Sequence, residues 1–176
     1  AENEESAYPR VLLAQGGRIA SRTIIAREQA PIALCALSEL LESIAETARN
    51  LTAEGGCIAV IVNTVDRAQT LYSMLEDTVG DAAEVLLYHA RFPADERQAI
   101  EQKVLARFGK ECERPERAIL IATQVAEQSL DVDFDAMITD LAPVDLVLQR
   151  AGRLHRHPRQ RPEAHREPVL YVAGLA

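Results

Sequence analysis

Short apolar runs alternate with amphipathic segments along most of the chain. The apolar runs have the length and continuity of strands buried on both faces, and residues with helical spacing follow each of the first four. The strand-like runs are CIAVIV, AEVLLYH, RAILIAT, FDAMITD and EPVLYVAG. The helical segments between them are DRAQTLYSMLEDTVG, PADERQAIEQKVLARFG, QVAEQSL and PVDLVLQRAGR. This order predicts an α/β fold in which helices cover both faces of a parallel β-sheet.

The first part of the chain has a different pattern. RVLLA and RIASRTIIA flank QGG, which predicts two extended segments joined by a glycine turn, a short β-hairpin. From Pro31, apolar residues recur at helical spacing until Gly55 and Gly56, which predicts one long amphipathic helix. We therefore expect an N-terminal extension over residues 1–30 and a single domain over residues 31–176.

Composition and charge narrow the class of protein. The chain has 176 residues, 48% of them hydrophobic, and a formal net charge of −8, so a broad electrostatic grip on nucleic acid is not expected. No leader or membrane-length apolar run is visible, and we expect a soluble cytoplasmic protein. The widely spaced Cys35, Cys57 and Cys112 predict buried thiols and neither a disulfide framework nor a zinc site.

The basic residues are nearly all arginines, and six of them crowd into one short segment from Arg150 to Arg166. Arginine's planar fork matches phosphate oxygens, so this segment is a candidate for a local anion site. For Arg159, Arg161 and Arg166, a solvated basic tail is an equally open interpretation.

Several kinds of site are missing from the sequence. The only Gly-Lys pair, Gly109-Lys110, lacks both the upstream glycine and the following Ser or Thr of a phosphate loop. No strand ends in an acidic metal-binding box, and no spacing of His, Cys, Asp or Glu predicts a resident metal. A complete ATPase, dehydrogenase or serine hydrolase is therefore not expected.

Residues 118–157 form a distinctive unit that runs strand, Thr-Gln turn, short helix, Ser-Leu-Asp, strand, helix and Gln-Arg-Ala-Gly-Arg. This unit resembles motifs V and VI of superfamily 2 helicases. ATQVAEQSLDVDFD, ITDLAPVDLVLQRAGRLHRH and the upstream VNTVDRAQTLY resemble, more closely, the CRISPR-associated helicase-nuclease of type I systems. The resemblance covers roughly Cys57 to His157 and implies the second RecA-like domain of a two-domain motor.

By motif position, the resemblance implies that Arg153 and Arg156 are arginine fingers that reach ATP bound on the first domain. Gln149 is then an accompanying polar contact, and Asp131 accepts from the ribose hydroxyls or positions the arginines. Gly152 is expected to let the backbone pass close to the nucleotide. A competing interpretation is a solvated helix end whose arginines cap carbonyl groups.

The resemblance also assigns nucleic-acid contacts to the carboxyl ends of the strands, where ligands of parallel sheets bind. The implied residues are Asn63, Thr64, His89, Arg91, Thr123 and Gln124. Thr64 and Thr123 are equally explained as helix caps. Glu127 and Gln128 are candidates either for coupling the two sites or for a plain surface role.

The function implied is half of an ATP-dependent single-stranded-DNA translocase or helicase in CRISPR interference. Its ATP and Mg²⁺ are expected mainly on the first RecA-like domain, its further partners are single-stranded DNA and a guide-RNA surveillance complex, and the chain alone is expected to be inactive. Two alternatives stay open. One is half of another superfamily 2 DNA or RNA helicase, and the other is a non-catalytic interaction module.

Overall fold

The computed structural model describes residues 9–25, 31–127 and 130–175. The chain divides into two compact units, Ala1–Ala30 and Pro31–Ala176. In the first unit, strands β1 (Arg10–Gln15) and β2 (Arg18–Thr23) pair antiparallel. Gly16 and Gly17 join them with positive φ angles of 57° and 74°, which suits a two-residue hairpin turn. The predicted hairpin is confirmed.

The second unit contains a six-stranded sheet in which every neighbouring pair is parallel. The strands lie in the order β3-β8-β7-β4-β6-β5. Their bounds are β3 Ala33–Leu37, β4 Gly56–Ile61, β5 Glu84–Tyr88, β6 Arg117–Ala122, β7 Ala136–Asp140 and β8 Val169–Ala173. The helices are α1 Leu41–Ala53, α2 Val65–Val79, α3 Ala94–Phe108 and α4 Val144–Ala151. The predicted α/β class is confirmed.

Helices cover both faces of this sheet. Successive strand residues point to opposite faces, so Ile61 joins the cluster of Phe108 and Ala151 from α3 and α4. Val60 joins the opposite cluster, which contains buried residues of α1 and α2 such as Leu71. Burial on both faces explains why the central strands are continuous apolar runs.

The long helix predicted from Pro31 is wrong in its first part. Residues Ala33–Leu37 form the edge strand β3, which pairs along its whole length with β8, and α1 begins only at Leu41. Periodicity alone does not distinguish a short apolar run in a strand from the first turns of a helix. Pairing with β8, more than one hundred residues later in the chain, decides the conformation.

Smaller differences concern helix length and the cysteines. The predicted helix QVAEQSL is a 3₁₀ turn at Gln124–Glu127 within the described residues, and α4 ends at Ala151. All three cysteines are free thiols, but only Cys57 is buried, so the prediction is wrong for Cys35 and Cys112. Burial raises the pKa of the Cys57 thiol to about 11.

Candidate functional site

The carboxyl ends of β4 and β7 meet in a bonded cluster. Asn63 follows β4, and its backbone N–H donates to Asp140 Oδ2 at 2.9 Å, while its side-chain amide donates to the Leu141 carbonyl. Arg67, on the first turn of α2, donates to both carboxylate oxygens of Asp140, at 2.9 and 3.1 Å. These bonds fix the backbone of the Asn63–Thr64 turn and leave the Asn63 side chain exposed at the edge.

The turn after β6 joins the same edge. Gln124 donates from its side-chain amide to the Asn63 carbonyl at 3.2 Å, and its own side chain is exposed. Thr123 is buried and donates its N–H to the Tyr88 carbonyl at the end of β5. Thr64 accepts from the Arg67 N–H at 3.3 Å and is the N-cap of α2, which bears out the capping interpretation of that residue. The sheet therefore brings the predicted strand-end residues to one edge.

His89 and Arg91, which follow β5, have opposite environments. The His89 ring is buried, stacks on Phe92 with centroids 4.1 Å apart, and lies 3.5 Å from the Gln69 amide nitrogen. Burial lowers the pKa of His89, because the charged ring would lose its water. Arg91 is exposed and pairs with Asp66 at 2.8 Å. Of these two residues, Arg91 presents its charge at the surface.

Asp131 and Arg156 form a second group, near the amino end of β7. Arg156 donates from Nε to Asp131 Oδ1 at 2.7 Å, and His157 Nε2 lies 3.0 Å from the same oxygen. The hydrogen bond from Arg156 lowers the pKa of Asp131, so this carboxylate stays charged down to acidic pH. The Arg156 side chain is 43% exposed, and its charged head is thus both held in place and accessible.

The other predicted nucleotide-facing residues lie at the carboxyl end of α4 and just after it. Gln149 is exposed, whereas Arg153 is only 8% exposed, and its backbone is bonded to Arg150 and Phe134. Gly152 has φ of −63°, and a Cβ there would meet the Gln149 carbonyl at 3.5 Å, an ordinary contact. The backbone of this domain therefore does not by itself require glycine at that position. Gln128 lies outside the described residues, as does the side chain of Glu127.

A buried ionic cluster under this group escaped the sequence prediction. Asp133 and Asp135 are almost fully buried just before β7, and they bind three guanidinium groups between them. The guanidinium groups belong to Arg114, Arg159 and Arg161. The interpretation as a solvated basic tail is therefore wrong for Arg159 and Arg161. It is confirmed for Arg166, whose side chain is 73% exposed. The sequence signal that could have predicted this cluster is the alternation of carboxylates at Asp131, Asp133 and Asp135.

The two groups of candidate residues lie at opposite ends of β7. Asp131 to Asp135 precede the strand and Asp140 ends it. In the described residues no three His, Cys, Asp or Glu side chains form a group that could hold a metal ion. Within the same described ranges, no helix has the length and apolar character needed to span a membrane.

Comparison with known proteins assigns the family. Residues 54–159 match the family model described as CRISPR-associated nuclease/helicase Cas3, C-terminal. The chain belongs to this family. The match includes both groups of candidate residues, from Asn63 to Arg156, and it confirms the family that motifs V and VI predicted.

Individual Cas3 proteins agree with this assignment. The chain is 43% identical to the CRISPR-associated endonuclease/helicase Cas3 of Thermus thermophilus over 94% of its length. A crystal structure of T. fusca Cas3 with ADP matches 95% of the chain with a TM-score of 0.83 and 36% identity. A CRISPR RNA-guided surveillance complex in a pre-nicking state contains a chain that matches with a TM-score of 0.80 and 32% identity.

The chain spans only about a fifth of these Cas3 proteins. It covers 22% of the Thermus thermophilus protein and 22% of the T. fusca chain. The shared region has the RecA-like fold of the Cas3 helicase C-terminal domain, which confirms the predicted fold. The activities and partners of the remaining parts of Cas3 belong to those longer proteins.

Proposed function

We propose that this chain is the second RecA-like half of an ATP-dependent motor that moves along single-stranded DNA in CRISPR interference. Membership of the Cas3 helicase C-terminal family supports this proposal, as does the likeness to a Cas3 crystallised with ADP. The nucleotide would lie between this domain and a first RecA-like domain that supplies the phosphate loop. The chain alone would then be inactive as an ATPase.

The geometry of Arg156 carries the proposal. Asp131 holds its Nε at 2.7 Å, and the half-exposed guanidinium has further donors to offer an incoming phosphate. An arginine that meets the charge developing in phosphoryl transfer typically accelerates the reaction by about 10³- to 10⁵-fold. In this arrangement, Arg156 stabilises the γ-phosphate, and Asp131 holds the Arg156 side chain in position. The more buried Arg153 acts as the second finger from the end of α4.

The remaining nucleotide contacts come from the same segment. Exposed Gln149 would hydrogen-bond the nucleotide, and Gly152 would lie beside it. Mg²⁺, which neutralises phosphate charge during transfer, would be held mainly by the first domain, because the described residues offer no cluster of metal ligands. This chain's part in the reaction is thus to supply positive charge and to close the site against water.

The opposite end of β7 would contact the DNA strand. Asn63, Thr64, Thr123 and Gln124 offer small amide, hydroxyl and backbone groups that suit contacts to phosphates without reading bases. Arg91 adds an exposed charge, and buried His89 would support the turn through its stack on Phe92. The likeness to a chain of a guide-RNA surveillance complex supports such a complex as the partner that presents the DNA.

Turnover of ATP in a reconstituted motor tests the proposal. The chain is combined with a first RecA-like domain of the Cas3 family, and phosphate release is measured with each component alone and together. We expect turnover only together, and a loss of at least about 100-fold for Arg153→Ala and for Arg156→Ala, the lower range for a missing charge-stabilising donor. The matched control is Arg166→Ala, an exposed arginine of the same segment that pairs with Glu163.

The outcomes separate the proposal from its alternatives. Full turnover in both finger variants would refute the arginine assignment. Stimulation by single-stranded DNA above that by RNA is expected, and equal stimulation would favour an enzyme of the wider helicase superfamily. Association with the first domain that is independent of nucleotide and of both arginines, without turnover, would favour an interaction module.

A further inference from the structure

Arg150 is a buried cation that the proposed chemistry does not use. It lies in the last turn of α4, next to Gln149, and it is 0% exposed, the largest fully buried side chain among the described residues. A guanidinium removed from water is strongly destabilising unless it is hydrogen-bonded. Its partners therefore indicate what α4 is anchored to.

Two of those partners are the last two residues of β7. Arg150 Nη1 donates to Thr139 Oγ1 at 2.6 Å and to the Asp140 carbonyl at 3.3 Å. The Thr139 hydroxyl, which is itself buried, donates to the same carbonyl at 3.0 Å. Arg150 thus ties the helix that presents Gln149 and Arg153 to the carboxyl end of the strand.

The same strand end holds the proposed DNA edge. The Asp140 side chain accepts from the Asn63 N–H and from Arg67, and Gln124 bonds the Asn63 carbonyl. Asp140 therefore accepts a hydrogen bond from Arg150 at its backbone carbonyl and another from the Asn63 N–H at its side-chain carboxylate. The bonded chain from Arg150 through Asp140 to Asn63 connects α4 to the turn after β4 at the carboxyl end of β7.

We infer that Arg150 and Thr139 are positioning residues that couple DNA binding at the Asn63 edge to the nucleotide-facing end of α4. This inference rests on the proposed function. Any displacement of the Asn63 turn by a DNA strand moves Asp140, and the buried link transfers that movement to α4. Coupling of this kind is reciprocal, so ATP binding must change the affinity for DNA by the same factor.

Threonine 139 allows a nearly isosteric test of the link. Thr139→Val removes the hydroxyl that Arg150 binds and keeps the shape of the side chain, whereas Thr139→Ser keeps the hydroxyl. Thr52→Val is the matched control, because Thr52 is also a buried threonine, on α1, whose hydroxyl bonds only its own helix at the Ala48 carbonyl. Thermal unfolding of each variant gives the cost in stability separately.

The measurement is the affinity of the two-domain motor for fluorescein-labelled oligo(dT), with and without the ATP analogue AMPPNP. The ratio of the two affinities reports the coupling, and a structural role of Thr139 would not move it. We expect Thr139→Val to bring this ratio about tenfold closer to one, within the usual range of allosteric coupling, and DNA-stimulated turnover to fall with it. Thr139→Ser and Thr52→Val should keep the wild-type ratio.

A wild-type ratio in Thr139→Val would overturn the inference, as would an equal loss in Thr139→Ser. If Thr139→Val does not fold, Asp140→Asn weakens the next bonds of the link, and a wild-type ratio in that variant refutes it equally. Either result would concern the coupling alone, because the proposed function would still be supported by the loss of turnover in Arg153→Ala and Arg156→Ala. A wild-type motor with no turnover and no effect of AMPPNP on DNA binding refutes the proposed function instead.

Discussion

Replacing Asp133 by alanine should destabilise the domain more than any change at the surface. Asp133 is 0% exposed, forms an ion pair with Arg159 Nε at 2.7 Å, and accepts hydrogen bonds from Arg161 Nη2 at 2.9 and 3.0 Å. It also accepts the backbone N–H of Arg156 at 2.8 Å. Its loss leaves Arg159 without the carboxylate it pairs with, and Arg114 and Arg161 with the single carboxylate of Asp135.

The magnitude follows from this excess of buried charge. Breaking a buried ion pair by removing one partner costs about 3–5 kcal/mol, because the other partner stays desolvated. The side chains of Arg114 and Arg159 keep some contact with water, so we take about 4 kcal/mol within that range. For a chain of this length, that loss corresponds to a fall in Tm of roughly 8–16 °C.

The assay is urea unfolding of the chain at neutral pH, followed by circular dichroism, with a thermal scan in parallel. Arg166→Ala is the control, because its pair with Glu163 is exposed on both sides and should contribute less than about 0.5 kcal/mol. A free energy of unfolding for Asp133→Ala within about 1 kcal/mol of the control would refute the reasoning. It would mean that the arginines reach water once the carboxylate is gone.

Two further predictions concern pH and backbone strain. Burial lowers the pKa of His89 and His155 from the ordinary value of 6.5, so the unfolded chain takes up these protons first. The free energy of unfolding should therefore fall as pH decreases below about 6.5, and it should fall less steeply in His155→Asn. Urea titrations at a series of pH values measure this dependence, and the same dependence on pH in the wild type and in His155→Asn would contradict the prediction. Gly56 has φ of +100°, and a Cβ would lie 2.9 Å from Asp135 Oδ2, so Gly56→Ala should cost about 2 kcal/mol or more. Gly80→Ala, at φ of +51° in open space, is the control for backbone strain alone, and equal losses of Tm in the two variants would exclude a clash at Asp135.

The sequence predicted most of the sheet because its central strands carry a strong local signal. The run that became β4 is buried on both faces, and such a run has few alternatives to a parallel strand. The run that became β3 lies at the sheet edge and is partly exposed, so its pattern also fits a helix. The distinction depended on β8, a partner that no local pattern identifies.

The arginines between Arg150 and Arg166 show the same limit at the candidate site. Their sequence neighbourhood is basic, but Arg150 is buried against the end of β7, and the partly buried Arg159 and Arg161 pair with carboxylates just before that strand. An exposed guanidinium can meet an external phosphate without first giving up a buried contact, and Arg156 is placed in this way next to Asp131. Motif spacing selected Arg153 and Arg156 as candidate fingers, whereas the internal pairing of Arg159 and Arg161 depends on the carboxylates of Asp133 and Asp135 in an earlier segment. An acidic chain can therefore concentrate arginines in one segment without becoming a general anion-binding surface, because most of them pair with carboxylates of the same fold, Arg159 and Arg161 in its interior and Arg156 and Arg166 at its surface.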